Sequence, residues 1–148
     1  GGNYRRALAN SFMVSCDNAH AVHPNHPEYA DKNHTVKMNG GVVIKYNANQ
    51  KYTTDSISAA IFTEACRACG VKHQTYYNRA DMPGGSTLGS IANTKVSIST
   101  VDVGLPQLAM HSACETMALS DYLDMIEILN EFYSSSLHKS GNEISIIK

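Results

Sequence analysis

The chain has little of what marks several large classes of protein. No apolar run approaches the roughly 20 residues that a membrane-spanning helix needs, so the sequence offers no transmembrane segment. Basic residues are not clustered, and 12 Lys and Arg stand against 13 Asp and Glu. That balance gives neither a phosphate backbone nor an anionic membrane surface an electrostatic footing, so no nucleic acid and no membrane are expected as partners. The start, Gly1-Gly2-Asn3-Tyr4-Arg5-Arg6, has no initiator Met and no signal-peptide apolar segment. It does not read as a natural N-terminus, and the chain is read as a fragment. Internal repeats and low-complexity tracts are absent.

The four cysteines, Cys16, Cys66, Cys69 and Cys114, do not make a recognisable framework. Cys66-Arg67-Ala68-Cys69 has CxxC form, but it falls late in a helical pattern. A redox pair gains acidity at the start of a helix that follows a strand. No second CxxC completes a structural zinc site. The thiols are therefore read as reduced and unbridged, which fits a cytoplasmic protein.

What is present is ordinary globular material: 43% hydrophobic and 17% charged residues over 148 positions, enough for one domain with a real core. Phe12-Met13-Val14 is short enough for a buried strand, and Ala21 to Gly41, rich in His, Asn, Pro and Gly, is an irregular loop of a length usually tied to function or to an interface. Val42-Val43-Ile44-Lys45-Tyr46 reads as a strand. Ile57, Ala60, Ile61, Glu64, Ala65 and Ala68 follow helical spacing, with Thr54, Asp55 or Ser56 available as N-cap and Gly70 as the stop. His73 to Asn78 suits a strand, the turn Pro83-Gly84-Gly85 leads to a short helix from near Ser86, and Val96 to Val103 is a further strand. Ala118, Tyr122, Met125, Ile126, Leu129 and Tyr133 make the stripe of a long final helix. The alternation predicts an α/β three-layer sandwich with a mostly parallel sheet, helices on both faces and functional groups at one edge, over residues 1–133. Residues 134–148 read as a Ser-rich, then apolar tail, disordered in part or adding an edge strand.

The densest chemistry lies in Ser15-Cys16-Asp17-Asn18-Ala19-His20-Ala21-Val22-His23-Pro24-Asn25, where a carboxylate and two imidazoles emerge at a strand end, as in a metal-site loop. Pro106-Gln107-Leu108-Ala109-Met110-His111-Ser112 repeats the arrangement after the strand ending at Val103. Only a fold could bring Asp17 and His111 together. Between them lies Asn78-Arg79-Ala80-Asp81-Met82-Pro83-Gly84-Gly85-Ser86-Thr87-Leu88-Gly89. It has the composition of a phosphate-cradling loop but neither the Walker lysine nor the GxGxxG spacing.

These three segments, in order and spacing, resemble the M18 family of metallopeptidases, the aspartyl aminopeptidases, over roughly Ser11 to Tyr133. The resemblance implies the C-terminal portion of a catalytic domain with a zinc-peptidase-like (phosphorylase/hydrolase-like) fold. It also implies an enzyme with two zinc ions per site that removes N-terminal Asp or Glu from peptides. Asp17 would be a terminal ligand of one zinc and His111 a ligand of the other. A first His ligand, a bridging Asp and a Glu-Glu pair holding the general base would lie upstream, so this portion contains no catalytic base and should be inactive alone. Lys45 would meet the acidic side chain of the substrate. The glycines near Gly85, Ser86 and Thr87 would let backbone N–H groups approach the peptide, and Met110, beside His111, would also bind substrate. Asp81 would orient that loop or meet the substrate amine, with a plain turn as the other reading. His20 and His23 would hold carboxylates or carbonyls in place rather than bind zinc, and His26, His34, His73 and His138 would be surface residues. The resemblance further implies a homo-oligomer, a dodecamer, in which an upstream His completes a neighbour's site and the His-Pro-Asn loop is a place for contact. Two alternatives stay open: a di-metal aminopeptidase of the M42 type, and a non-catalytic metal-binding or assembly module.

Overall fold

The structure, a computed structural model, describes residues 1–140 and 143–147. A short helix α1 (Gly2–Ala9) leads into β1 (Phe12–Cys16) and the two-residue β2 (Ala19–His20). The long loop, with one 3-10 turn at Pro27–Tyr29, reaches β3 (Val42–Tyr46). Then come α2 (Ser56–Cys69), β4 (His73–Tyr77), α3 (Leu88–Asn93), β5 (Ser99–Gly104), β6 (Pro106–Leu108) and β7 (Thr116–Met117). Among the described residues the last elements are α4 (Leu119–Ser134), β8 (Ser136–Ser140) and β9 (Glu143–Ile147), the last two paired antiparallel.

The main sheet has the order β1-β5-β3-β4. The outer pairs β1–β5 and β3–β4 are parallel, while the central pair β3–β5 is antiparallel, so β3 begins where β1 and β5 end. Strand alternation gives the sheet two different faces. On one, Val42 and Ile44 of β3 and Val101 and Val103 of β5, with Phe12 and Val14 of β1, pack on Phe62 and Cys66 of α2 and on Met125 and Ile128 of α4. The other face buries polar groups: Ser15, Lys45 and Asp102. It is covered by the six-residue α3 and the long loop, with Val43 meeting Ala19, Val36 and Tyr76. The two long helices thus share one face, and helical cover on the second is limited to α3.

The ends of α2 follow from its residues. The Asp55 carboxylate accepts from the Ser58 N–H at 2.7 Å, and the Ser58 hydroxyl accepts from the Asp55 N–H at 2.9 Å, a reciprocal capping box. Gly70 ends the helix at φ 69°, which a side chain would resist. Asp55→Ala should lower the unfolding free energy by about 1 kcal/mol; an unchanged denaturant midpoint would show that the cap contributes nothing.

The buried face of α2 is rotated from the one the spacing predicts. Ser58, Ala59, Ile61, Phe62, Ala65 and Cys66 are buried while Ile57 is 54% exposed. In α4 the buried residues are Asp121, Met125 and Ile128, with Tyr122, Ile126 and Tyr133 exposed. Asp121 tolerates burial because both of its carboxylate oxygens are satisfied, by the N–H groups of Asn39 (2.8 Å) and Gly41 (2.9 Å). It thereby fastens the end of the long loop to α4. Gly41 sits at φ 90°, and a Cβ there would lie 2.0 Å from the Lys72 carbonyl oxygen.

Candidate functional site

The candidate site begins at Asp17, one residue beyond β1. Asp17 donates its N–H to the Val103 carbonyl and Ala19 donates to Leu105, both at 2.9 Å, so the backbone stays zipped to β5 as it passes into β2. Close approach is possible because residue 104 is glycine: a Cβ there would fall 2.0 Å from the Asp17 carbonyl oxygen. The Asp17 side chain is left at an exposed rim. Asn18 fills the angle between the two sheets, accepting from the Leu105 N–H at 3.3 Å and donating to the side chain of buried Gln107.

Lys45 lies beneath this segment on the polar face of β3. It is only 2% exposed, its ammonium donates to the Asn18 carbonyl oxygen at 3.3 Å and stands 5.0 Å from the centre of the Tyr52 ring. Burial lowers its affinity for the proton, while the negative charges of Asp17, then Asp102, work in the opposite direction. Asp102, fully buried on β5, is itself held by Thr53, whose N–H and hydroxyl donate to one carboxylate oxygen at 2.6 and 2.7 Å. Its other oxygen has no hydrogen-bond partner among the described residues and faces Gly89 of α3 and Ser15.

His111 is exposed three residues beyond the end of β6. The turn that carries it is strained, with Ala109 at φ 56° and His111 at φ 69°, both left-handed without being glycine. The His111 N–H is capped by the Glu115 carboxylate at 2.6 Å. On the neighbouring strand His20 pairs in register with Gln107. The His20 imidazole is made less basic by burial, and next by the like charges of His111 and Lys45. Asp17, Lys45, His20 and His111 therefore lie within electrostatic reach of one another in a chain, although the sequence separates them widely.

His23 orders the long loop: its Nδ1 accepts from the Asn25 N–H at 3.1 Å and its ring stands 5.4 Å from that of His26. His26 and His34 are exposed and pair with Glu28 and Asp31 at 3.1 and 3.0 Å; His73 and His138 are also exposed. With His20, Tyr77 and Arg79 the loop bounds a cleft of about 290 Å³. The segment around Asp81 forms its far wall. Asp81 is exposed and bound to Arg79 at 2.7 Å, an ion pair that holds its carboxyl below the ordinary range. Gly85 and Ser86 are exposed, Met110 is half-buried, and Thr87 is buried at 2%, so its hydroxyl faces the interior beside α3 rather than the cleft. Sequence reading passed over Asn18, Tyr52, Thr53 and Asp102. Only Asp102 left a signal, as a carboxylate between two valines of a core strand.

The donor chemistry fits part of a metal site. Neither the Asp17 carboxylate nor the His111 imidazole has a hydrogen-bond partner among the described residues, while no three His, Cys, Asp or Glu side chains among them converge to hold an ion. One carboxylate and one imidazole suit zinc, and further ligands would have to come from outside these residues. The four cysteines form no disulfide, and burial pushes the Cys66 thiol up to about 12, far from a reactive thiolate.

A mixed sheet packed on helices, with ligand-type side chains just beyond strand ends, is an α/β architecture. The chain belongs to the M18 peptidase family, whose sequence profile, described as Aminopeptidase I zinc metalloprotease (M18), matches residues 2–133. A probable M18 family aminopeptidase 2 of Clostridium acetobutylicum is 49% identical over 132 residues, which is 89% of this chain and 30% of that protein. Its counterpart in Mycobacterium leprae is 46% identical over 135 residues, 91% of this chain and 32% of that protein. Among solved structures, the complex of Ape4 and Nbr1 matches with a TM-score of 0.86 at 35% identity, over 88% of this chain and 25% of that one. The S. cerevisiae mApe1 dodecamer matches with a TM-score of 0.77 at 28% identity, over 88% of this chain and 28% of that one. The chain thus spans about 30% of the length of the curated relatives it matches. Among the described residues no helix is long and apolar enough to cross a membrane.

Proposed function

We propose that this chain is the C-terminal portion of the catalytic domain of a zinc-dependent aminopeptidase that removes acidic residues from peptide N-termini. The observation that carries this reading is the match of the M18 zinc metalloprotease profile over residues 2–133, and it is supported by Asp17 and His111, two ligand-type side chains left exposed beyond the ends of β1 and β6. Asp17 and His111 would each hold one of two zinc ions. When bound, zinc would supply Lewis-acid polarisation of the scissile carbonyl and activation of water. The remaining ligands and the general-base Glu would lie in the part of the protein that precedes this portion, which alone would be inactive.

The residues here would bind and orient. Lys45 is a buried cation with one hydrogen bond to its ammonium among the described residues, leaving donors for a substrate carboxylate. A neutral residue would leave that ammonium without its partner, so Asp and Glu would be favoured. Gly85 and Ser86 would present backbone to the peptide, and Asp81, tied to Arg79, would keep that loop in place. His20 would hold the rim between the two zinc ligands and His23 the loop that follows. The dodecameric relative supports a homo-oligomer, and the unbridged cysteines support a cytoplasmic setting.

The test is zinc content and hydrolysis of Asp-, Glu- and Leu-terminated peptides by the full-length enzyme, before and after chelation. Zinc-dependent cleavage favouring the acidic peptides is the expected result. Zinc-dependent cleavage without that preference would point to the M42-type alternative, and zinc binding without cleavage to a non-catalytic module.

A further inference from the structure

We propose that the cleft between the long loop and the end of β4 is a subsite for an aromatic side chain, supplied by the peptide residue that follows the one removed. The inference rests on the reading of the chain as part of an aminopeptidase and deepens it, because it names what the substrate carries beyond its acidic first residue.

The walls of the cleft are fixed by backbone bonds. The Val22 N–H donates to the Val36 carbonyl at 2.8 Å, which closes the loop on itself, and the Ala21 N–H donates to Gln107 of β6 at 2.9 Å. Gln74 of β4 secures the far end, accepting from the Lys37 N–H and donating to the Lys37 carbonyl, both at 2.8 Å. The space enclosed, about 290 Å³, is small for a pocket that takes a whole ligand and suits one side chain.

The lining decides which side chain. His23, His26 and Tyr29 follow one another with ring centres 5.4 Å apart, and the His34 ring stands 4.3 Å from that of Tyr77. Tyr29 is 58% exposed, so its ring is open to contact, while Val36 and Tyr76 belong to the apolar cluster around Val43. The two charged side chains in the wall already have partners: Arg79 donates to Asp81 at 2.7 Å and to the Glu28 carbonyl, and Asp31 pairs with His34 at 3.0 Å. A charged ligand would have to break one of these pairs. A planar ring would instead gain the offset and edge contacts that rings make with rings, which an aliphatic chain of similar size does not.

Position ties the cleft to the substrate. Tyr76 pairs in register with Lys45, and its ring stands 6.3 Å from that of Tyr52, over which the Lys45 ammonium lies. His20, also in the wall, is on β2 beside β6, the strand that leads to His111. A peptide whose first side chain met Lys45 would therefore have its second residue within reach of the cleft.

The experiment compares kcat/KM of the full-length enzyme for Asp-Phe-Ala and Asp-Leu-Ala. Phe should be favoured about fivefold, the size of a ring–ring contribution beyond burial. Tyr29→Ser combined with His34→Ser, both exposed positions, should bring the ratio close to one, and Tyr29→Phe alone should keep it. Equal rates for the two peptides in the unmodified enzyme would overturn the proposal, as would a ratio that survives in the double variant. A ratio lost together with the oligomer on size exclusion would also overturn it, by making the cleft a contact between copies. Loss of the acidic first-residue preference with the Phe preference intact removes the Lys45 reading alone, whereas a zinc-loaded enzyme that cleaves neither peptide defeats the aminopeptidase reading and this inference with it.

Discussion

Asp17→Asn or His111→Ala in the full-length enzyme is expected to lower kcat/KM by about a thousandfold, with the loss of about one zinc per site. The size follows from what each side chain would supply. The amide of Asn is isosteric with the carboxylate but neutral and a poorer ligand, so the fold at the rim should persist while the metal leaves. The exposed setting of both residues makes this a clean comparison. Neither side chain packs in the core, and Asp17 is placed by its backbone bond to Val103 rather than by its carboxylate. The His111 turn is held by its own N–H on Glu115, which the Ala variant keeps. Metal analysis and peptide kinetics on the same samples check the prediction; full activity with full zinc in either variant would remove that residue from the ligand set.

Lys45→Met should reverse the substrate preference rather than simply slow the enzyme. The methionine retains most of the buried stem, which passes through the polar face of the sheet beside Tyr52, and deletes the charge alone. The ratio of Asp-peptide to Leu-peptide kcat/KM should fall by about a hundredfold or more, as expected when a site built for a charged group loses its partner. An unchanged ratio would mean that the acidic side chain is read elsewhere. Because Lys45 is 2% exposed, melting curves of the variant separate a specificity change from partial unfolding.

Much of the local structure is visible in the residues before any coordinates. Asp55 and Gly70 announce the ends of α2 because capping and left-handed geometry are properties of single residues. Val42 to Tyr46 announces β3 by composition. What stays hidden is whatever depends on partners. The helix face that turns inward is ambiguous in α2, where Ile57, Ala60 and Ala68 stand exposed beside Glu64 and Arg67, and in α4 the buried face includes Asp121, whose burial makes sense only once Asn39 and Gly41 are placed beside it. Strand direction leaves no mark in alternation, so the antiparallel β3–β5 pair could not be foreseen. α1 buries no residue, so no packing partner within the described residues fixes its face. Val96 to Ile98 read as strand by alternation but precede β5, which starts at Ser99. In the site, Asp17, His111 and Lys45 stand out as motif residues; Asn18, whose carbonyl accepts from the Lys45 ammonium, carries no signature outside the fold, and Asp102 shows only as a carboxylate between two core valines.

The register of the main sheet has a kinetic consequence. Phe12 pairs with Ser99, Val42 with His73 and Val43 with Gly104, so every ladder in that sheet joins distant stretches of chain and none is a hairpin. Each must meet its loop-closure entropy before any pairing is rewarded, which places the sheet among slow, high-contact-order topologies. The β8–β9 pair is local and can form first. During synthesis β1 has to wait until Ser99 to Gly104 emerges to find this parallel neighbour. That interval, rather than the finished fold, is when the apolar run Phe12-Met13-Val14 is most open to wrong pairing.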